Sequence, residues 1–143
     1  MVSFLIAYAT WSGNTEEVAE LIEEVFLKSG IDVTRYRIGT GPIPNVTEFD
    51  ALIIGSFTWD KGATPDEVKD FVAEVGYKPP NVYVFGTGDT QFGGDALFCS
   101  AAVKLARFYE STYAPLKIEQ SPRGTQETDV INWTEGVIKQ WSH

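Results

Sequence analysis

Three short stretches hold the residues best suited to chemistry: Thr10-Trp11-Ser12-Gly13-Asn14-Thr15, Ser56-Phe57-Thr58-Trp59-Asp60-Lys61-Gly62 and Gly86-Thr87-Gly88-Asp89-Thr90-Gln91-Phe92. The first follows an apolar run and opens an amphipathic one, so three hydroxyls surround a glycine at an expected helix N-terminus. Free N–H groups and neutral donors in that setting suit a phosphate. The loop contains no Lys or Arg, and nothing matches G-x-x-x-x-G-K-[ST], so a phosphomonoester held in a neutral cradle is the better fit. A well-capped helix start would account for Asn14 but not for Thr10, Ser12 and Thr15 around Gly13. In the second stretch Trp59 either plugs the core or offers a flat face to a ligand, and Phe92 in the third also reads alone as core. The third begins like a dinucleotide fingerprint, but it lacks the last glycine and follows a late strand. Two aromatics and a phosphate cradle at one sheet edge are what a flat aromatic cofactor on a phosphorylated tail requires.

The rest of the composition excludes much else. His143, the one histidine, is the last residue, and Cys99 is the one cysteine. A disulfide framework, a structural zinc cluster, a dithiol redox pair and a histidine-based triad are therefore not expected, nor is any metal site. Eleven basic against 20 acidic residues leave a net charge of −9, which argues against nucleic acid and anionic membranes. The apolar runs are far shorter than the roughly 20 residues that span a bilayer, and no signal-peptide pattern is seen. With 143 residues, of which 43% are hydrophobic and 22% charged, the expectation is one cytoplasmic domain over 1–143. Its chemistry would belong to a bound cofactor.

The elements that must position the three stretches can be read from hydrophobic patterning. Val2 to Tyr8, Ala51 to Ile54 and Val82 to Phe85 are almost continuously apolar, as strands buried on both faces are in a parallel sheet. Ile31 to Ile38, carrying Asp32, Arg35 and Arg37, reads as an edge strand, and Leu116 to Ile118 as a short opposite edge. Val18, Leu21, Ile22, Val25 and Phe26 fall at helical spacing, with Asn14 and Glu17 as N-cap and N3 and Gly30 as a stop. A second helix is expected from Thr64 as N-cap with Pro65 at N1, through Val68, Phe71, Val72 and Val75, to Gly76. A third follows Asp95, with Phe98, Ala101, Ala102 and Leu105 on one face and Cys99 in the core. The last runs from about Thr128 to Trp141, with Trp133 and Trp141 packing it. This alternation predicts an α/β fold: a doubly wound, five-stranded parallel sheet of order 2-1-3-4-5 with helices on both faces. Ligands bind such sheets where strand order reverses, so loops 10–15, 56–62 and 87–95 should converge.

These three loops resemble those of the flavodoxin family, and the likeness covers nearly the whole chain. Loop 10–15 is similar to the family's T/S-x-S/T-G-N-T phosphate loop, I-I-G-S-F-T-W to its second loop, and V-Y-V-F-G-T-G-D-T-Q-F with L-F-C-S-A-A-V to its fourth strand, third loop and next helix. The resemblance implies that Thr10, Trp11, Ser12, Gly13, Asn14 and Thr15 hold the phosphate of flavin mononucleotide (FMN). Phe57, Thr58, Trp59, Asp60, Lys61, Gly62, Thr87, Gly88, Asp89, Phe92 and Phe98 would surround the ring, with Trp59 and Phe92 stacking on it. The fifth strand runs into its helix without an insertion, as in short-chain members.

Three positions depart from the family pattern. Asp60-Lys61 stands where Gly-Asp is common, at a peptide that flips to meet the protonated flavin N5; a side chain there should penalise positive φ and stabilise the semiquinone less. Phe92 stands where a tyrosine is usual, and Gly93-Gly94-Asp95 lengthens the third loop. The resemblance implies a monomeric one-electron carrier cycling between semiquinone and hydroquinone, passing electrons from a flavodoxin or ferredoxin reductase to acceptor enzymes with basic docking faces. A carboxylate ~10 Å from the ring, at an effective dielectric of roughly 20–80, opposes reduction by about 0.4–1.7 kcal/mol, or roughly 20–70 mV. Asp60, Asp66, Glu67, Asp89 and Asp95 are placed to act this way. The alternatives are a flavoprotein that activates a metalloenzyme, a quinone reductase and a phosphoreceiver. The last needs an aspartate at the end of a central strand, whereas the first strand ends Ala7-Tyr8-Ala9.

Overall fold

The structure is a computed structural model, and it describes residues 2–58, 64–88 and 99–141. Its strands are β1 (Ser3–Tyr8), β2 (Asp32–Arg37), β3 (Ala51–Phe57), β4 (Val82–Gly88) and β5 (Leu116–Glu119). The helices among the described residues are α1 (Asn14–Lys28), α2 (Asp66–Val75), α3 (Ser100–Phe108) and α4 (Thr125–Trp141). All the strand pairs are parallel and the order is β2-β1-β3-β4-β5, as the alternation predicted.

Strand periodicity divides the apolar residues between two cores. Leu5, Ala7, Leu52, Ile54 and Val84 point to one face, where Val68 and Phe71 of α2 and Ala102 and Leu105 of α3 cover them. Phe4, Ile6, Tyr8, Ile53 and Phe85 point to the other, beneath Val18, Ile22 and Phe26 of α1 and Val130 and Val137 of α4. Every residue of β3 is buried, whereas the β2 edge is largely exposed, in keeping with its charged sequence. Two glycines let these layers close. Gly55 lies in register with Phe85, and a Cβ at Gly55 would overlap the Phe85 ring. A Cβ at Gly86 would stand 2.7 Å from that of Ala102, so α3 rests directly on the β4 backbone. Trp133 Nε1 donates to the Ala114 carbonyl and Trp141 Nε1 to the Tyr83 hydroxyl, which seats α4 as its tryptophans suggested.

Several boundaries differ from the sequence reading. The N-cap of α1 is Gly13 rather than Asn14: its φ of 95° turns the chain, and its carbonyl accepts the first helical bond, from Glu17 N–H. Pro65 is the N-cap of α2 instead of N1, because its extended ψ of 143° places its carbonyl to accept from Val68 and Lys69. Helix α4 begins at Thr125, where Gly124 at φ 57° turns the chain, and Gln126 bonds both Glu119 N–H and its carbonyl. Cys99 is in the core, as expected, but as the N-cap of α3 at φ 51° and not inside the helix.

Burial raises the Cys99 thiol to about 12, offset in part by a backbone hydrogen bond with Ile118, and raises the Tyr109 hydroxyl to about 12. The Tyr109 hydroxyl has no hydrogen-bond partner among the described residues. Unfolded, the two groups ionise near their ordinary values of 9.0 and 10.0, so above those values the unfolded chain binds fewer protons and gains stability relative to the native state. Native stability should therefore fall as pH rises from about 9 to about 12, measurable by urea unfolding across that range. Tyr109→Phe should remove the part of the fall that begins near 10 and, at pH 7, stabilise by about 1 kcal/mol by deleting an unpaired buried hydroxyl.

Candidate functional site

The carboxyl ends of β1, β3 and β4 lie side by side, with Tyr8 in register with Gly55 and Phe57 with Thr87. The pairing continues past the strands, since Ala9 N–H donates to the Gly55 carbonyl at 3.0 Å and Thr58 N–H to the Thr87 carbonyl at 3.1 Å. The described parts of the three loops thus start from one edge, where the strand order reverses.

Loop 10–15 wraps the start of α1. Thr10 Oγ1 accepts from Gly13 N–H at 3.0 Å, a local turn that closes the loop. Gly13 then takes its left-handed turn, and a Cβ built there would meet nothing within 4 Å, so the space over the loop is open. The first N–H groups of α1 precede any intrahelical acceptor and carry the positive end of its dipole. Trp11 and Ser12 are exposed, Trp11 at 72%. Thr15 turns inward, fully buried, and its hydroxyl meets that of Thr87 at 2.8 Å, joining the first and third loops across the sheet edge.

The second and third loops are tied to α3 and β5. Thr58 Oγ1 accepts from Ala101 N–H at 3.4 Å, while Ser56 Oγ bonds the Phe57 carbonyl. Gly88 packs against Cys99, where a Cβ would lie 3.0 Å from the Cys99 nitrogen, and its carbonyl accepts from Gln120 N–H at 2.7 Å. Cys99 Sγ lies 3.6 Å from the Gly86 carbonyl and 3.7 Å from that of Ile118. Gln120 and Ala101 were not anticipated at this edge. Both act through backbone N–H groups, for which side-chain spacing gives no signal.

One polar chain flanks loop 10–15. Tyr8, the last residue of β1, donates its hydroxyl proton to Glu16 Oε2 at 2.8 Å and accepts from Arg35 Nη1 at 3.1 Å; Arg35 in turn pairs with Glu23 at 3.2 Å. Burial first and the Glu16 hydrogen bond second raise the Tyr8 hydroxyl above its ordinary value, so it stays a donor at neutral pH. Glu16 and Glu17 in the first turn complement the dipole of α1.

Ten expected site residues are therefore at or beside one edge: Thr10, Trp11, Ser12, Gly13, Asn14, Thr15, Phe57, Thr58, Thr87 and Gly88. Trp59, Asp60, Lys61, Gly62, Asp89, Phe92 and Phe98 lie outside the described residues, as does Asp95. No group of three metal-ligating side chains occurs among the described residues, and no helix among them is long and apolar enough to cross a membrane. Hydroxyls, a left-handed glycine and a helix N-terminus in a loop without a basic side chain fit a phosphomonoester.

The flavodoxin family model matches residues 6–133. The chain is 34% identical to a probable flavodoxin 2 of Bacillus subtilis, over 98% of this chain and 97% of that one. The crystal structure of oxidised flavodoxin 2 from Bacillus cereus superposes with a TM-score of 0.84 at 28% identity, covering 97% of this chain and 99% of that one. A short-chain flavodoxin associated with a non-canonical PDU bacterial microcompartment shares the fold, with a TM-score of 0.87 at 24% identity over 98% and 99% of the two chains.

The Thr15–Thr87 pair can be tested by a double-mutant cycle. Either Thr15→Val or Thr87→Val leaves a buried hydroxyl unpaired and should cost about 1–3 kcal/mol, whereas the double variant should cost less than the two singles added. Strict additivity in urea unfolding would show that the pair does not tie the loops. Gly13→Ala should cost about 1–2 kcal/mol from its φ of 95° alone, because the Cβ meets no neighbour.

Proposed function

Because the chain belongs to the flavodoxin family, we propose that it is a cytoplasmic, monomeric electron carrier of one domain that binds FMN non-covalently. The observation that carries this reading is the cradle at the start of α1: Gly13 at φ 95°, three flanking hydroxyls and no basic side chain in the loop. Thr10, Trp11, Ser12, Gly13, Asn14 and Thr15 would hold the phosphate, with Phe57, Thr58, Trp59, Asp60, Lys61, Gly62, Thr87, Gly88, Asp89, Phe92 and Phe98 around the ring. When bound, FMN supplies one-electron redox chemistry that the chain's own side chains do not.

The protein's part is to bind, orient and set the electrostatics. Backbone N–H groups of the first turn and the loop hydroxyls donate to the phosphate without a compensating cation. The hydrogen bond between Thr15 and Thr87 fixes the first loop against the third, so the phosphate and ring positions keep one spacing. Tyr8 engages the Glu16 carboxylate with a proton of its own, which leaves the N–H groups of that turn to a ligand. Asp66 and Glu67, exposed at the start of α2, belong to the acidic group expected to oppose reduction and to draw basic faces of reductases and acceptors.

The purified protein should bind FMN, and riboflavin at least about 100-fold more weakly, because the phosphate hydrogen bonds are charge-assisted. Equal affinity for the two, or no binding of FMN in a fluorescence titration, would refute the cradle. Reductive titration should resolve one-electron steps, and the protein alone should not turn over nicotinamide or quinone; rapid turnover without a reductase would favour an enzyme.

Neutralising Asp60, Asp66, Glu67, Asp89 and Asp95 together should raise the potential of the second electron by on the order of 100 mV at low salt, read by potentiometry. An unchanged potential would reduce those carboxylates to a role in solubility and docking.

A further inference from the structure

On the sheet face carrying α2 and α3, away from the phosphate loop in sequence and on different helices, lies an open groove of about 650 Å³. Its apolar lining includes Val68 and Val72 of α2 and Leu105 and Phe108 of α3. Among the described residues the charged ones lining it are Lys69, Lys78 and Lys104, with no carboxylate beside them in the lining. In a chain with 11 basic and 20 acidic residues, three lysines around one apolar groove are a local reversal of sign.

Two exposed aromatic side chains lie here as well. Phe108 is 44% exposed and Tyr77 43%, and both line the groove. Lys78 Nζ stands 4.5 Å from the centre of the Phe108 ring, which holds a cation over an exposed aromatic face. Helix α2 is strongly two-sided: Val68 and Phe71 enter the core, while Asp66, Glu67, Asp70 and Glu74 are exposed and do not line the groove. Apolar floor and cationic rim together select an occupant with large apolar side chains flanked by carboxylates.

We propose that this groove docks an acidic amphipathic segment of a partner protein. It would be a second docking surface, opposite in charge to the acidic surface proposed to meet basic reductase and acceptor faces. A partner bearing such a segment would be held by the α2–α3 face while the carboxyl edge of β1, β3 and β4 stays open for electron transfer.

The test uses two labelled helical peptides with the same Leu and Phe positions, one carrying Glu at every flanking position and the other Lys. In fluorescence anisotropy at low salt the Glu peptide should bind, weaken as salt rises, and perturb amide resonances of Lys69, Val72, Lys104 and Leu105. K69E/K78E/K104E should lower its affinity at least about tenfold, a loss of about 1.4 kcal/mol, with FMN affinity unchanged. The milder K69Q/K104Q variant, confirmed folded by circular dichroism, should give a smaller loss in the same direction. Equal binding of the Lys peptide, resonance changes confined to another face, or unchanged affinity in both variants would overturn the proposal. So would concentration-dependent self-association in sedimentation that is abolished by the same substitutions, because a second copy would then be the occupant.

Discussion

Everything at the carboxyl edge depends on β3 being held by parallel hydrogen bonds between β1 and β4. A strand so placed has both faces buried, so the chain must supply helices above and below and return to the same end after each strand. That forces the segments after β1, β3 and β4 to leave from one edge. Gly55 and Gly86 let the layers approach closely enough for this: one makes room for the Phe85 ring and the other brings α3 against the β4 backbone. The Thr15–Thr87 hydroxyl pair then ties the start of α1 to the end of β4 across that edge.

The electrostatic design follows from the same arrangement. A helix N-terminus at the end of β1 presents donors without needing a lysine, and Glu16 is engaged by Tyr8 and, through it, linked to Arg35. The chain carries a net charge of −9, yet the loop at this helix start has no charged side chain of its own. On the α2–α3 face the balance is inverted locally by three lysines over an apolar floor. The loop at the start of α1 carries no basic side chain, whereas the α2–α3 groove gathers three, so the two surfaces differ in sign on one small chain.

The fold was legible because its signals are repeated along the chain. Continuous apolar runs and helical stripes alternate, and the resulting layers, strand order and buried faces agree with them at each element. The expected first loop is found at the start of α1, with Thr10, Ser12, Gly13 and Thr15 together at the end of β1. Boundaries were less legible. Asn14 and Thr64 have good capping side chains, yet Gly13 and Pro65 take the N-cap positions, because backbone geometry at the strand–helix turn outweighs side-chain preference. Cys99 reads as an ordinary core residue, and its left-handed backbone beside Gly88 is set by the close approach of α3 to β4.

By itself the sequence determined the class of fold and the order of its elements, since periodicity and residue type are local properties. It also sets the expectation that neither cysteine nor histidine carries the proposed reaction, and it shows acids outnumbering bases. Only the tertiary structure decided which groups meet. Thr15 finds Thr87 across 72 residues, Tyr8 joins Glu16 to Arg35, Ala101 and Gln120 bring backbone donors to the loops, and three lysines from α2, α3 and the turn after α2 gather around one groove. Such pairings depend on strand register and on how closely two layers can pack, and neither is recorded in the spacing of residues along the chain.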